Sequence, residues 1–385
     1  MTQRLAETDS AGAKLYPTFS ANGTYTFNQF EVEFPVQGPD GMVQQVLTIQ
    51  PQHQLNAALT VSLPLIDIGV WRRIAASKAN AEATRAQERA TQLEVETTVS
   101  RAYYQVLGQE AVLDAAKRTL EIFRKNLEQV QNKVEGGTAS QLDVQRARAE
   151  IARAEGDVAS AEYAVVIARR QLSTASLTDP EPATDFVTDD LHSEQPIESW
   201  LTRAGGTPRV QTAQAQQRAA TTTVDAAEAA WYPTLTASAQ EDFTNATAFT
   251  GRSATFKLQA TLAWRFDASL SPSIRAQQAA AYTQQVRAER TERAAQDSIF
   301  QAWHQVRTSI EKARAARVQI EASQLAAELA RDRYAVGAAT QLDVLQAEHT
   351  AFQAKVASIQ ADTELVYARV GLRTSAGQFI EGGAK

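Results

Sequence analysis

Two kinds of hydrophobic spacing alternate along this chain. Between Thr18 and Asn28, Phe19, Ala21, Gly23, Tyr25 and Phe27 alternate with Thr18, Ser20, Asn22, Thr24, Thr26 and Asn28. A period of two puts these sets on opposite faces of a β-strand. Leu55, Ala57, Leu59, Val61, Leu63 and Leu65 mark a second strand. Leu235, Ala237, Ala239 and then Phe243 mark a third, and Phe256, Leu258, Ala260, Leu262, Trp264 and Phe266 a fourth. Strands are expected at 15–28, 54–66, 234–244 and 254–266. Pro35, Gly38, Pro39 and Gly41 make 29–53 read as a long loop, and 245–253 reads as a shorter one.

Elsewhere the apolar residues step by three and four. Leu113, Ala116, Leu120, Phe123, Leu127, Val130 and Val134 form one stripe. Val144, Ala147, Ile151, Ala154, Val158, Ala161, Val165, Ala168 and Leu172 form another, and its register returns from Val344 to Leu372. A strict seven-residue repeat packs helices as a left-handed supercoil. Leu345, Phe352, Ile359 and Val366 add a second stripe to the last helix, so that helix has two neighbours. Helices are expected at 69–134, 140–177, 208–230, 270–334 and 340–376. The first is roughly 65 residues long, hence about 100 Å, which exceeds an ordinary globular domain.

The elements are expected to form a tandem repeat. Gln141-Leu142-Asp143-Val144 returns 200 positions later as Gln341-Leu342-Asp343-Val344, and Gln105-Val106 as Gln305-Val306. Tyr16-Pro17-Thr18 returns as Tyr232-Pro233-Thr234 after a loop of different length. We divide the chain into a first repeat at 1–177, a connector at 178–206, a second repeat at 207–377 and a tail at 378–385. Asp179-Pro180-Glu181-Pro182 opens the connector, and Asp189-Asp190 reads as a solvated turn within it. A helix precedes the strands of the second repeat, whereas only 14 residues precede Leu15 in the first. A leading helix and an export signal are therefore expected to be missing there.

Composition adds exclusions. The chain has 385 residues, a formal net charge of -6 and no cysteine. This excludes disulfides, thiolate zinc sites and a cysteine nucleophile. The acidic balance gives no reason to invoke nucleic acid. Mean hydropathy is -0.33, and no apolar run approaches the length of a transmembrane helix. His53, His192, His304 and His349 share no metal-ligand spacing. No phosphate-binding glycine loop or nucleophile elbow occurs. Neither an enzyme nor a cofactor is indicated. Composition taken alone reads as a soluble, intracellular, helical protein.

The strands argue otherwise. Four strands cannot close into a barrel, and an open sheet leaves two edges that invite another chain. The helices use their own seams, so the apolar strand face has nothing in this chain to cover it. Several copies pooling strands into a closed barrel, apolar outward to lipid and polar inward to water, is one economical solution. Tyr16, Trp71, Trp231 and Tyr232, at the helix-side strand ends, fit an interfacial aromatic girdle. A soluble coiled-coil scaffold, periplasmic or cytosolic, with a small packed sheet is the alternative.

Three motifs carry a family resemblance: Leu15-Tyr16-Pro17, Pro64-Leu65-Ile66-Asp67-Ile68-Gly69 and Tyr334-x-x-Gly337-x-x-Thr340-x-Leu342-Asp343-Val344. With the duplicated architecture, they resemble the TolC-type outer membrane efflux proteins over nearly the whole chain. The resemblance implies an α+β membrane protein of the Gram-negative outer membrane. Three copies would share a twelve-stranded barrel, continued into the periplasm by a tunnel of long helices. It implies a passive duct that works with a periplasmic adaptor and an inner-membrane pump.

The same resemblance makes the helix turns the tunnel tips. Gly137, Thr138, Ser140, Leu142, Gly337, Ala338, Thr340 and Leu342 would meet the adaptor. Asp343, Asp143, Tyr334 and Gln346 would stand at the pore gate. Ser140 and Thr340 also read as helix N-caps, with Asp143 and Asp343 at the third helical position. Gln346 replaces a second family acid, so one acidic ring is expected. Ala339 replaces a family arginine that ties neighbouring hairpins. Tyr334 reads equally as a gate residue or as plain packing.

Overall fold

The computed structural model describes residues 2–39, 43–178, 188–248 and 251–379. The motif Asp179-Pro180-Glu181-Pro182 and the tail beyond residue 379 lie outside the described residues. The chain divides into two compact units, Met1–Ala86 with Thr212–Ala288, and Gln87–Gln211 with Glu289–Lys385.

The first unit holds helix α1 (Thr2–Ala13), strands β1 (Thr18–Phe27), β2 (Val32–Gln37), β3 (Val43–Gln50) and β4 (His53–Ile66), and the start of α2 (Ile68–Glu135). Most of α5 (Pro208–Glu228), strands β5 (Thr234–Thr244) and β6 (Ala254–Ala263), and the start of α6 (Leu270–Ala335) complete it. The main sheet is antiparallel in the order β1-β4-β5-β6, which leaves β1 and β6 as edges. Helix α5 lies on α2 through an alanine seam, Ala83 against Ala215 and Ala219. Such small side chains allow close backbone approach.

Two expectations need correcting here. The stretch 29–53 is not a loop: β2 and β3 pair as an antiparallel ribbon. Val32, Phe34 and Val36 alternate with Glu33, Pro35 and Gln37, a strand pattern outweighed in the sequence by its prolines and glycines. Pro35 is tolerated because both strands of a two-stranded ribbon are edges, where a missing N–H breaks no central ladder. The 14 residues before Leu15 also contain a helix, α1, with no buried residue. It is shorter than α5 and lacks the buried alanines that mark α5 in the sequence.

The second unit contains the rest of α2 and α6, together with α3 (Gln141–Ser176), α4 (Ile197–Leu201) and α7 (Gln341–Ser375). Its largest core joins Trp200 and Ala204 to Ile299, Val306, Ile310, Leu365 and Leu372. Ile299, Leu365 and Leu372 are fully buried, and each such side chain contributes about 1.5–3 kcal/mol. A further seam joins Leu120 and Phe123 of α2 to Ala154 of α3 and Leu345 of α7.

Asp189 is not the solvated turn expected from sequence. The buried Arg369 of α7 grips it with two hydrogen bonds, Nε to Oδ2 at 2.7 Å and Nη2 to Oδ1 at 3.0 Å. Arg369 also donates to Glu194 and to the His192 carbonyl. A buried guanidinium needs this many acceptors to offset its lost hydration. Asp189, Asp190 and His192 bring three ligand-type atoms within 4.8 Å, and Arg369 already supplies the positive charge there. Among the described residues, no helix is long and apolar enough to cross a membrane.

Candidate functional site: the sheet faces and the helix turns

Strand register sorts the side chains of the main sheet by chemistry. One face carries the cross-strand rows Phe19–Val61–Ala239–Leu258 and Leu63–Ala237–Ala260. The other carries Thr18–Ser62–Ser238–Gln259 and Ser20–Thr60–Gln240–Lys257. Glu241 departs from this by joining Ala21, Leu59 and Phe256 on the apolar face, as does His53 opposite Phe27. The polar face is hydrogen-bonded across strands. Lys257 donates to Asp242 Oδ2 at 2.8 Å, and Thr244 Oγ1 to Asn56 Oδ1 at 2.8 Å.

Over residues 54–60 of β4, burial runs opposite to that of a soluble sheet. Along β4, the apolar Leu55, Ala57 and Leu59 are exposed, while Gln54, Asn56 and Thr60 between them are half-buried. Phe19 and Leu258 are 78% and 77% exposed. Apolar groups left in water by a whole sheet face require a covering medium.

Tyr16 and Tyr232 stand two residues before β1 and β5, and Trp71 is in the first turn of α2. Trp231 ends the 3-10 turn before β5. All four are exposed. Trp264 follows β6 and donates its indole N–H to the Trp231 carbonyl at 3.0 Å. Its ring lies 4.8 Å from that of Phe266. Trp264 and Phe266 thus join this aromatic group, although unbroken alternation assigned them to the strand. Their aromatic character was the available signal.

In the second unit, the turns between α2 and α3 and between α6 and α7 are built alike. Gly137 and Gly337 have φ of 73° and 80°, left-handed values that suit glycine at a helix end. The Thr138 N–H reaches the Lys133 carbonyl at 2.8 Å, and the Ala338 N–H reaches that of Arg333 at 2.7 Å. These bonds satisfy carbonyls left open at the helix ends. Replacing Gly337 with valine is expected to destabilise this turn by about 1–3 kcal/mol. Hydrogen exchange at 333–345 should rise, and unchanged protection would count against backbone strain.

Each return helix starts with a capping box. The Asp143 N–H donates to the Ser140 hydroxyl and the Asp343 N–H to the Thr340 hydroxyl, while each carboxylate accepts the cap residue's N–H. Hydrogen bonds from the Thr340 hydroxyl and N–H hold the Asp343 carboxyl below the usual aspartate range. Asp143 also has Arg146 Nη1 3.5 Å away. Leu142, Leu342, Asp343 and Gln346 are exposed.

Tyr334 is buried with Val130, Val144 and Val344. Its hydroxyl finds no hydrogen bond, and burial first, then the Asp143 charge, raises its pKa. Sequence reasoning missed its partner: Lys133 Nζ donates to the Tyr334 carbonyl at 2.6 Å and lies 4.0 Å from the ring centroid. It also missed the buried Gln341, which donates to Asn126 of α2. Both contacts tie one hairpin to the other. The basic last turn of α2 was an available signal, but nothing in the sequence named its partner.

A sheet with an apolar exposed face, joined to long capped helical hairpins, defines an outer-membrane channel fold. The chain belongs to the outer membrane efflux protein family, which it matches over residues 1–176 and 204–378. It resembles CusC, solved in a study of transmembrane channel formation, with a TM-score of 0.81 and 19% identity over 98% of this chain and 87% of that one. The CmeC outer membrane channel of Campylobacter jejuni gives a TM-score of 0.80 and 16% identity over 100% of this chain and 82% of that one. The fusaric acid resistance protein FusA of Burkholderia cepacia is 36% identical over 93 residues. That match spans 24% of this chain and only 18% of FusA. Family membership locates the chain in the Gram-negative outer membrane and assigns it to efflux.

Proposed function

We propose that the chain is the passive exit duct of a tripartite efflux or type I secretion system, working as a homotrimer. The observation that carries this is the reversed burial over residues 54–60 of β4, where the apolar face is bare and the other face half-buried. A closed barrel needs this arrangement, with lipid against one face and water against the other. The free edges β1 and β6 would pair between copies, giving twelve strands with no edge left in lipid.

The helices support the same assembly. Val318, Leu325 and Leu329 stand exposed along α6, and Tyr163 and Val166 along α3. These apolar positions suit packing against neighbouring copies in a periplasmic tunnel. At the turns, exposed Leu142, Leu342 and Val336 offer apolar anchors to a periplasmic adaptor, with Gly137, Thr138, Ser140, Gly337, Ala338 and Thr340 shaping the surface. Asp343 would form one anionic ring at the pore gate, with Asp143, Tyr334 and Gln346 beside it. An inner-membrane pump would supply the energy, and FusA makes resistance to a small organic acid one comparison for the cargo.

Extraction tests this reading. The full chain should require detergent and migrate as a trimer. Recovery as a detergent-free soluble monomer would instead favour the coiled-coil scaffold. At the gate, Lys133→Met removes both a hydrogen bond and a cation from Tyr334. Single-channel conductance should rise several-fold as the hairpins separate, and an unchanged conductance would exclude Lys133 from closure.

A further inference from the structure

One helix contact in the first unit has a repeat mate that a single chain leaves open. Ile74, Ala76, Ala79 and Ala81 of α2 return 200 positions later as Ile274, Ala276, Ala279 and Ala281 of α6. Asp9, Ala11 and Ala13 return 216 positions later as Asp225, Ala227 and Ala229, in register with the repeated Tyr-Pro-Thr. Helix α1 therefore corresponds to α5, and α6 to α2.

The α2–α5 contact is closed. Ala76 and Ala83 of α2 are buried, and Ala79 and Ala86 pack beside Ala83, Ala215 and Ala219. Their α6 counterparts Ala276, Ala279, Thr283 and Val286 are all exposed. Ala219 and Ala229 are buried, with Thr222 and Ala226 half-buried; the α1 counterparts Gln3, Ala6, Ser10 and Ala13 are all exposed. The other side of α1 is already taken, since Thr8 and Ser77 of α2 are hydrogen-bonded at 3.0 Å. Both members of the matching pair are thus bare in one chain.

The charges match as well. Asp225 lies 3.6 Å from Arg72 Nη1. Its counterpart Asp9 has no ion pair among the described residues, and neither has Arg275, one helical turn beyond the α6 position that matches Arg72.

We propose that α1 of one copy docks along the bare side of α6 in the next copy, repeating between chains the contact that α5 makes with α2 within one. Asp9 pairs with Arg275 of that copy, and Ala6 lies against Ala276. The strands lead to the same arrangement. Within the chain β4 runs into α2, α5 runs into β5, and β4 pairs with β5. Between chains β6 runs into α6 and α1 runs into β1, so pairing of the free edges β6 and β1 brings α1 beside α6. A head-to-tail contact of this kind closes into a ring. The docking rests on the trimeric reading of the duct and gives it a clasp at the N-terminal helix.

The chain has no cysteine, so the full chain in detergent carrying Gln3→Cys with Ala279→Cys tests the contact directly. These exposed positions match Ala219 and Ala79, which share one packed cluster. Mild oxidation should give covalent dimers and trimers on denaturing gels, reversed by reductant, and neither single-cysteine variant should do so. Added to the cysteine pair, Asp9→Lys or Arg275→Glu should slow cross-linking about threefold, as expected for an exposed ion pair, and the two together should restore it. Chains that sediment as trimers yet stay monomeric on oxidised gels would overturn the docking and leave the duct reading standing. Chains that sediment as monomers before oxidation would overturn both. Cross-linking by a single-cysteine variant, or a rate indifferent to both charge reversals, would also overturn the docking.

Discussion

Replacing Asp343 with asparagine should strip the proposed duct of most of its preference for cations. Reversal potentials across a salt gradient would read the change, and block by divalent cations should weaken with it. The side chain is exposed, and Thr340 holds its pKa below the ordinary 3.8. The carboxylate is therefore charged at neutral pH, and three copies would concentrate that charge at one constriction. Asparagine removes the charge with little change of shape. An unchanged reversal potential would take Asp343 out of the pore.

The sign of the pH dependence follows from the depressed pKa. The capping hydrogen bonds to Asp343 contribute stability that is fully present above its unfolded pKa and is lost as pH falls through the lower folded value. Selectivity should follow the same carboxylate and persist from neutral pH down to the acid range. Repulsion within the trimeric ring acts in the opposite direction, so the ring should lose charge before an isolated chain does. Asp143→Asn should change selectivity less, because Arg146 stands 3.5 Å from that carboxylate and already offsets part of its field.

The second large effect concerns the sheet. Val61→Arg should prevent membrane insertion, whereas Thr60→Arg, one residue along, should be tolerated. Val61 shares the apolar face with Phe19, Ala239 and Leu258, and Thr60 the polar face with Ser20 and Gln240. An arginine facing lipid at mid-bilayer costs about 2–4 kcal/mol, hence roughly 6–12 kcal/mol over three copies. A polar lumen position costs little. Outer-membrane fractionation and heat-resistant trimer on gels would measure the outcome. A soluble sheet would behave differently, since Val61 is already half-exposed and arginine there would be tolerated. Glu241 does not contradict this, because it sits towards the loop end of β5, where a carboxylate in the sheet costs least.

Much of the architecture was legible without coordinates because its elements are long and strictly periodic. The alternation at Phe19–Phe27 and the heptads from Val144 to Leu172 leave little freedom to choose between strand and helix. The turn glycines and capping residues were equally plain, since a left-handed helix end and an N-cap each favour few residue types. The misses came where two local signals competed. Pro35 and Gly38 outweighed the alternation of Val32, Phe34 and Val36, and Asp189 looked like any polar turn until Arg369 was brought beside it. Lys133 and Glu348 look like surface charges in the sequence. Their partners, the Tyr334 carbonyl and the Arg331 guanidinium 3.1 Å from the buried Glu348, come from other segments, and no local pattern encodes such meetings.

The sequence by itself determined the elements, their periodicity, the duplicated Gln-Leu-Asp-Val motif and the outward chemistry of each strand, because side-chain spacing alone sets which residues share a face. Only the tertiary structure decided that the polar residues near the loop end of β4 are the sheltered ones, that Arg369 anchors the connector and that Lys133 bridges the hairpins. It alone decided too that Glu348 is buried against Arg331. These outcomes depend on which distant segments meet, and burial, charge pairing and curvature take their values only once that meeting has occurred.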